Sequence, residues 1–165
     1  MIQRALFVCT GHIFRSLTAD IALRKLLAGR EDIHVSSAGT DDFPHVVAAF
    51  TRGYLFEKGF DVSSHRRRTL TQAIVDESQL VVAMSTDHQA VIRQRFGRDV
   101  PLYLETCGEG AQWLPDIEDV IPDYLTNRRA VEAHVRSTID RIVDLAPQLA
   151  VNIDALMDKY GKRGE

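Results

Sequence analysis

Cys9 and Arg15, separated by five residues, stand where the apolar run Ala5-Leu6-Phe7-Val8 gives way to a helix-patterned segment. A thiol and a guanidinium so spaced around a tight turn fit one chemistry: attack of a thiolate on the phosphorus of a phosphate monoester. The thiolate is the nucleophilic form of cysteine, and the planar guanidinium of arginine binds phosphate oxygens in pairs. Between them, Thr10, Gly11, His12, Ile13 and Phe14 form a loop whose successive N–H groups can point inward at an oxyanion. The helix after the loop adds the positive end of its dipole. Ser16 supplies a hydroxyl that can donate to the thiolate and stabilise it as the leaving group when a phosphocysteine breaks down. The spacing alone fixes only two residues. The preceding strand, Gly11 within the loop and the helix start behind it distinguish this site from a buried structural cysteine.

These groups need a scaffold, and the chain supplies an alternating one. Ile2 to Val8 reads as a buried strand, Thr18 to Gly29 as a helix and Ile33 to Ala38 as a second strand, a βαβ unit with parallel pairing. Val46 to Lys58 reads as a helix and Thr71 to Glu77 as a short one. Leu80 to Met84 is a third strand, too apolar to have a wet face. Ser85 or Thr86 caps a helix running to Phe96, and Val100 to Leu104 reads as a short fourth strand. Glu105 to Pro122 is a long loop of the kind that often carries function. Thr126 or Asn127 caps a last helix, with Pro147 near its end. Strands alternating with helices predict a three-layer α/β domain over residues 1–157, followed by a polar tail over 158–165. In such folds ligands sit beyond the carboxyl ends of the strands, where the Cys9 loop would lie.

Composition excludes several other classes. The chain has 165 residues, 45% of them hydrophobic and 26% charged, with a net charge of -3, the profile of an ordinary globular domain. That charge offers no basis for nucleic-acid binding, and no apolar run reaches the ~20 residues of a membrane span. The N-terminus leads directly into the nucleophile-bearing strand and does not read as a signal peptide. The two cysteines, Cys9 and Cys107, allow at most one disulfide, which would consume the nucleophile, so a reducing cytoplasm is expected. His34, His45, His88 and His134 show no metal-ligand spacing, and neither metal nor cofactor is expected.

The loop resembles the signature of the low-molecular-weight protein tyrosine phosphatases, Val-Cys-x-Gly-Asn-x-x-Arg-Ser-Pro near the N-terminus. Further stretches in the same order carry the resemblance across most of the chain: Val35-Ser36-Ser37-Ala38-Gly39-Thr40, Ser64-His65 followed by Arg66 to Arg68 and Leu70-Thr71, Met84, and Ile121-Pro122-Asp123. It implies a flavodoxin-like, four-stranded parallel sheet of order 2-1-3-4 with helices on both faces. It also implies a phosphotyrosine phosphatase in which Cys9 is the nucleophile, Arg15 binds phosphate and Asp123 is the general acid, with Asp119 the next candidate among Glu109, Asp116, Glu118 and Asp119. Ser37 and His65 are implied to brace the loop. The implied partner is a phosphotyrosine-containing protein such as a bacterial-type tyrosine kinase, met by a monomer or weak dimer.

Four positions depart from the family pattern. His12 replaces the loop Asn, and histidine is one of the few non-glycine residues enriched at positive φ. If protonated, it would also favour the thiolate and titrate near neutral pH. Phe14 stands where many members carry a second cysteine, so no protective disulfide can form there. Leu17 replaces a Pro in the first helical turn, and Tyr124 replaces the Pro after the expected acid. Ile13, apolar where arginine phosphatases tend to carry Thr, points to phosphotyrosine, and Phe43 with Phe14 and Tyr124 would wall a slot for its ring. A thiol-dependent arsenate reductase and a phosphoprotein-binding pseudophosphatase remain as alternatives.

Overall fold

The computed structural model describes residues 1–161. Strand β1 (Gln3–Cys9) lies between β2 (Ile33–Gly39) and β3 (Leu80–Ala83), parallel to both, in the order β2-β1-β3. Its side chains alternate between the faces with the strand period of two. Ala5, Phe7 and Cys9 enter one cluster, and Leu6 and Val8 enter another. A central strand covered on both sides has no use for a polar position, which is why its sequence is an unbroken apolar run.

Helices provide that cover. On the Phe7 side lie α1 (Arg15–Leu26), the single turn α5 (Tyr103–Thr106), α7 (Arg128–Val151) and α8 (Ile153–Tyr160). On the Leu6 side lie α3 (Gln72–Glu77) and α4 (Thr86–Phe96). Helix α2 (Ala49–Glu57) packs Leu55 against Leu17 and Ile139 in a third cluster. A further turn, α6 (Ile117–Val120), interrupts the segment expected to be loop throughout. Ser85 caps α4, and Gly97 ends it in the left-handed conformation at φ 65°, where glycine carries no Cβ penalty.

The structure corrects the sequence reading at two places. Val100 to Leu104 does not form a fourth strand: Leu102 makes one isolated parallel bridge to Ala83, and the chain then turns into α5. Pro101 has no N–H to extend a ladder. Tyr103, fully buried, donates its hydroxyl to Ile142 O at 2.7 Å and draws the chain off the sheet edge. Pro147, as expected, lies near the end of α7, which closes at Val151. Asp158, Lys159 and Tyr160, expected in a tail, complete α8, which is anchored by buried Ile153 and Met157; residues 162–165 of that tail lie outside the described residues. No helix among the described residues is long and apolar enough to cross a membrane.

Candidate active site

Cys9 ends the central strand, and the chain wraps from it through residues 10–14 into the N-terminus of α1. The loop's carbonyls turn outward and are taken up by neighbours. Cys9 O accepts from Thr40 N at 2.9 Å, Thr10 O from Asp41 N at 3.2 Å, Gly11 O from Arg67 Nε at 2.9 Å and His12 O from His65 Nε2 at 2.8 Å. Carbonyls fixed outward leave the loop's N–H groups free to face the cavity, the arrangement an oxyanion requires. Beneath them Cys9 Sγ lies 2.9 Å from the buried Ser16 Oγ. A hydroxyl at that distance can donate a hydrogen bond to the sulfur when it is a thiolate.

The loop geometry depends on His12, which has φ 57°, the sole positive φ at a non-glycine position among the described residues. Its ring is held from both sides. Nδ1 accepts the Arg68 N–H at 2.9 Å, so the proton resides on Nε2, which donates to Ser37 Oγ at 2.7 Å. Ser37 in turn donates to Asp20 Oδ2 at 2.6 Å. Ser37 and His65 thus both meet His12, while Ser16 serves Cys9. Burial, followed by the nearby His65, Arg68 and Arg67 charges, pushes the His12 pKa from 6.5 to about 3. His12 is therefore neutral at physiological pH, and the expectation that a cationic His12 favours the thiolate is corrected: the ring braces the loop through hydrogen bonds. Gly39 completes the brace, because a Cβ there would lie 2.6 Å from Thr10 O.

Above the loop is a cavity of about 180 Å³, reached by Cys9, Arg15, Ile13, His45, Asp116 and Ile117 among others. Arg15, 3% exposed, donates to Leu114 O at 2.8 Å and to Asp116 Oδ2 at 2.9 Å. Asp123 is not among the lining residues; it is exposed, and its carboxylate accepts from the side chain of Asn127. The physical reason is α6. Leu114 is anchored to the end of β3 by its N–H to Met84 O at 3.0 Å, and Asp116 caps α6, so residues 114–118 stay over Cys9 while the turn carries Asp123 away. Asp119, the other candidate, is occupied by the same cap, accepting from Asp116 N at 2.9 Å. Leu114-Pro115-Asp116 and Ile121-Pro122-Asp123 are near copies in sequence, and that repetition is the signal by which Asp116 could have been found.

Two of the three expected slot residues, Phe43 and Tyr124, are displaced as well. Phe43 is 63% exposed, with its ring against His45, because its N–H closes a turn onto Asp41; Tyr124 follows Asp123 away from the cavity. Phe14 lines the cavity as expected, and Ile13 and Ile117 are its other apolar walls. His88 was not anticipated. It is buried, and its Nδ1 accepts from Ser85 N at 3.1 Å, so its Nε2–H donates to Thr10 Oγ1 at 2.9 Å. Burial, with the nearby Arg15 charge, pushes its pKa to about 3. Cys107 is buried, and burial raises its thiol to about 11.

The sequence profile of the family described as low molecular weight phosphotyrosine protein phosphatase matches residues 4–158. The chain belongs to this family. Members are protein phosphatases, and so hydrolases. It is 36% identical over 101 residues to the protein-arginine-phosphatase of Bacillus subtilis (strain 168), an alignment spanning 56% of this chain and 63% of that relative. It is 30% identical to the protein-arginine-phosphatase of Geobacillus stearothermophilus, over 87% of this chain and 96% of the relative. The low molecular weight protein-tyrosine-phosphatase Etp of Escherichia coli (strain K12) is 29% identical over 82% and 86%. Among solved structures, a YwlE arginine phosphatase mutant with a phosphorylated active-site serine superposes with a TM-score of 0.75 at 26% identity, covering 92% of this chain and 96% of that one. Both arginine- and tyrosine-directed phosphatases are thus similar to this member of the family.

Proposed function

We propose that this phosphatase hydrolyses phosphotyrosine in proteins through a phosphocysteine on Cys9. In this reading the substrate dianion enters the loop and takes the Arg15 guanidinium from Asp116, whose freed carboxylate takes up a proton from solvent. The Cys9 thiolate attacks phosphorus, the S–P bond forms as the P–O bond to the phenolate breaks, and Asp116 gives its proton to the departing oxygen. Asp116 then accepts a proton from the water that attacks the phosphocysteine. Inorganic phosphate is released, and Ser16 donates to the returning thiolate. The backbone N–H groups from Thr10 to Phe14 and Arg15 hold the equatorial oxygens throughout. The observation that carries the proposal is the position of Asp116, held by Arg15 above the Cys9–Ser16 pair. Asp123, given this role by motif resemblance, is replaced in it.

The phosphotyrosine assignment rests on Ile13 and Ile117, which form apolar walls for a flat ring. A second reading, phosphoarginine, draws on Glu118 at the same cavity, a carboxylate suited to a guanidinium, and on the names of the Bacillus and Geobacillus relatives. The test compares kcat/KM on matched phosphotyrosine and phosphoarginine peptides for the wild type, Cys9→Ser and Asp116→Asn. Cys9-dependent turnover with a preference for phosphotyrosine supports the proposal, and a preference for phosphoarginine selects the second reading. Binding without turnover would make the protein a phosphoprotein-binding module instead. A buried Cys107 argues against the thiol relay of an arsenate reductase. The implied partner is a tyrosine-phosphorylated protein.

A further inference from the structure

Behind the catalytic loop, on the side away from Cys9, lies a second crevice of about 250 Å³ between α1, β2 and residues 61–68. His12 and Ser37, the two groups that brace the loop, line it, and so do Arg24, Arg66 and Arg68. Its two carboxylates are already committed. Asp20 accepts from Ser37 and pairs with Arg24, and Asp61 accepts the Ser63 N–H at 2.9 Å. Two of the cations are not. Arg66 forms no hydrogen bond or ion pair within the described residues, and Arg68 spends only its Nε, on Ser37 O at 2.9 Å. The hydroxyls of Ser36 and Ser64 line the same space. Three arginines against two carboxylates line the crevice, so its charged side chains carry an excess of positive charge.

We propose that this crevice is a second phosphoryl-binding site, taking a phosphomonoester dianion between Arg66 and the terminal amines of Arg68. Paired guanidinium N–H groups match tetrahedral oxyanions in geometry and charge. The volume suits a phosphate with a few attached atoms and lies below the usual range of drug-sized pockets. The site is wired to catalysis. The Arg68 N–H holds His12 Nδ1, and its Nε holds the Ser37 carbonyl, so an anion that fixes Arg68 tightens the brace on the catalytic loop. The occupant is either a free phosphomonoester or a second phosphorylated residue of the bound protein.

The test is a phosphate titration of the whole chain followed by amide and arginine side-chain NMR. Signals of residues 11–14 report the catalytic loop, and those of Ser36, Ser64 and Arg66 report the crevice. Two separate saturation curves are expected. Arg66→Ala should weaken the crevice curve about tenfold and leave the loop curve and the turnover of a small aryl phosphate unchanged. Crevice signals that follow the loop curve in both proteins would overturn the proposal, as would equal shifts with chloride. A second arm identifies the source. A KM about tenfold lower for a peptide carrying both phosphotyrosine and phosphoserine than for its singly phosphorylated form, lost in Arg66→Ala, assigns the site to the substrate chain. Equal KM values with the NMR signature intact assign it to free phosphomonoesters. The titration needs no turnover, so an inactive protein that keeps the crevice curve would refute the proposed reaction and leave this site standing.

Discussion

Mild acid should destabilise this fold through two histidines buried in their neutral form. His12 and His88 each have a pKa moved from 6.5 to about 3, mainly by burial. His12 faces His65 and the cations Arg67 and Arg68; His88 faces Arg15. In each ring Nδ1 already accepts a backbone N–H, so a second proton has no place without breaking a brace. The native state therefore stays unprotonated at pH 5 while the unfolded chain takes up a proton at each ring, and stability is lost as pH falls from about 6.5 toward 3. Between pH 7.5 and pH 5 the loss is about 2 kcal/mol per histidine, about 4 kcal/mol for the pair. That figure depends on the unfolded value as long as the folded one stays below about 4. Urea unfolding at the two pH values measures it. His12→Asn keeps a residue tolerant of positive φ but removes one titration, so its pH dependence should be shallower by about 2 kcal/mol. Equal pH dependence in wild type and variant would refute the reasoning.

Four further outcomes are expected. Asp116→Asn should lower kcat on an aryl phosphate by about 10² to 10⁴, whereas Asp123→Asn should stay near wild type; the reverse result would restore Asp123 as the acid. Because His12 is neutral throughout the assay range, the acid limb of the pH–rate profile should be the same in wild type and His12→Asn. Gly39→Ala should fold but lose kcat/KM, since its Cβ would press on the Thr10 carbonyl at 2.6 Å and the backbone of the catalytic loop would have to move. Peroxide should carry Cys9 to irreversible oxidation, because Cys107, buried and with its thiol pushed up to about 11, cannot resolve a sulfenic acid; full recovery of activity with thiol reductants would contradict this.

His88 shows how a positioning residue escapes sequence inspection. Nothing in Ser85-Thr86-Asp87-His88 marks it out, since a histidine three residues after a cap reads as helix surface. Only the arrival of β3 beside β1 sets the start of α4 against Thr10, where the ring finds its partner at 2.9 Å. Exchanging His88 for Asn should lower kcat/KM more on loosely held small substrates than on phosphopeptides, as expected of a residue that orients the loop.

What could be read along the chain was what neighbouring residues impose on one another. The apolar period placed the central strand, and the junction of that strand with a helix start placed Cys9, Arg15 and Ser16 in one loop. That His12 stands in a braced turn at positive φ was implied by resemblance to the family's loop, and the structure gives it φ 57°. The fold decided whatever depended on distant segments meeting. Leu-Pro-Asp and Ile-Pro-Asp are locally equivalent, and Asp116 rather than Asp123 reaches the cavity because Leu114 is tied to the end of β3 and to Arg15. Pro101 and the Tyr103 hydroxyl ended the sheet after β3, a contest between a strand edge and a buried hydrogen bond to Ile142 that no local pattern records. The charge of His12 was settled in the same way. An isolated histidine titrates near neutrality, and this one does not, because folding removes its water and surrounds it with cations.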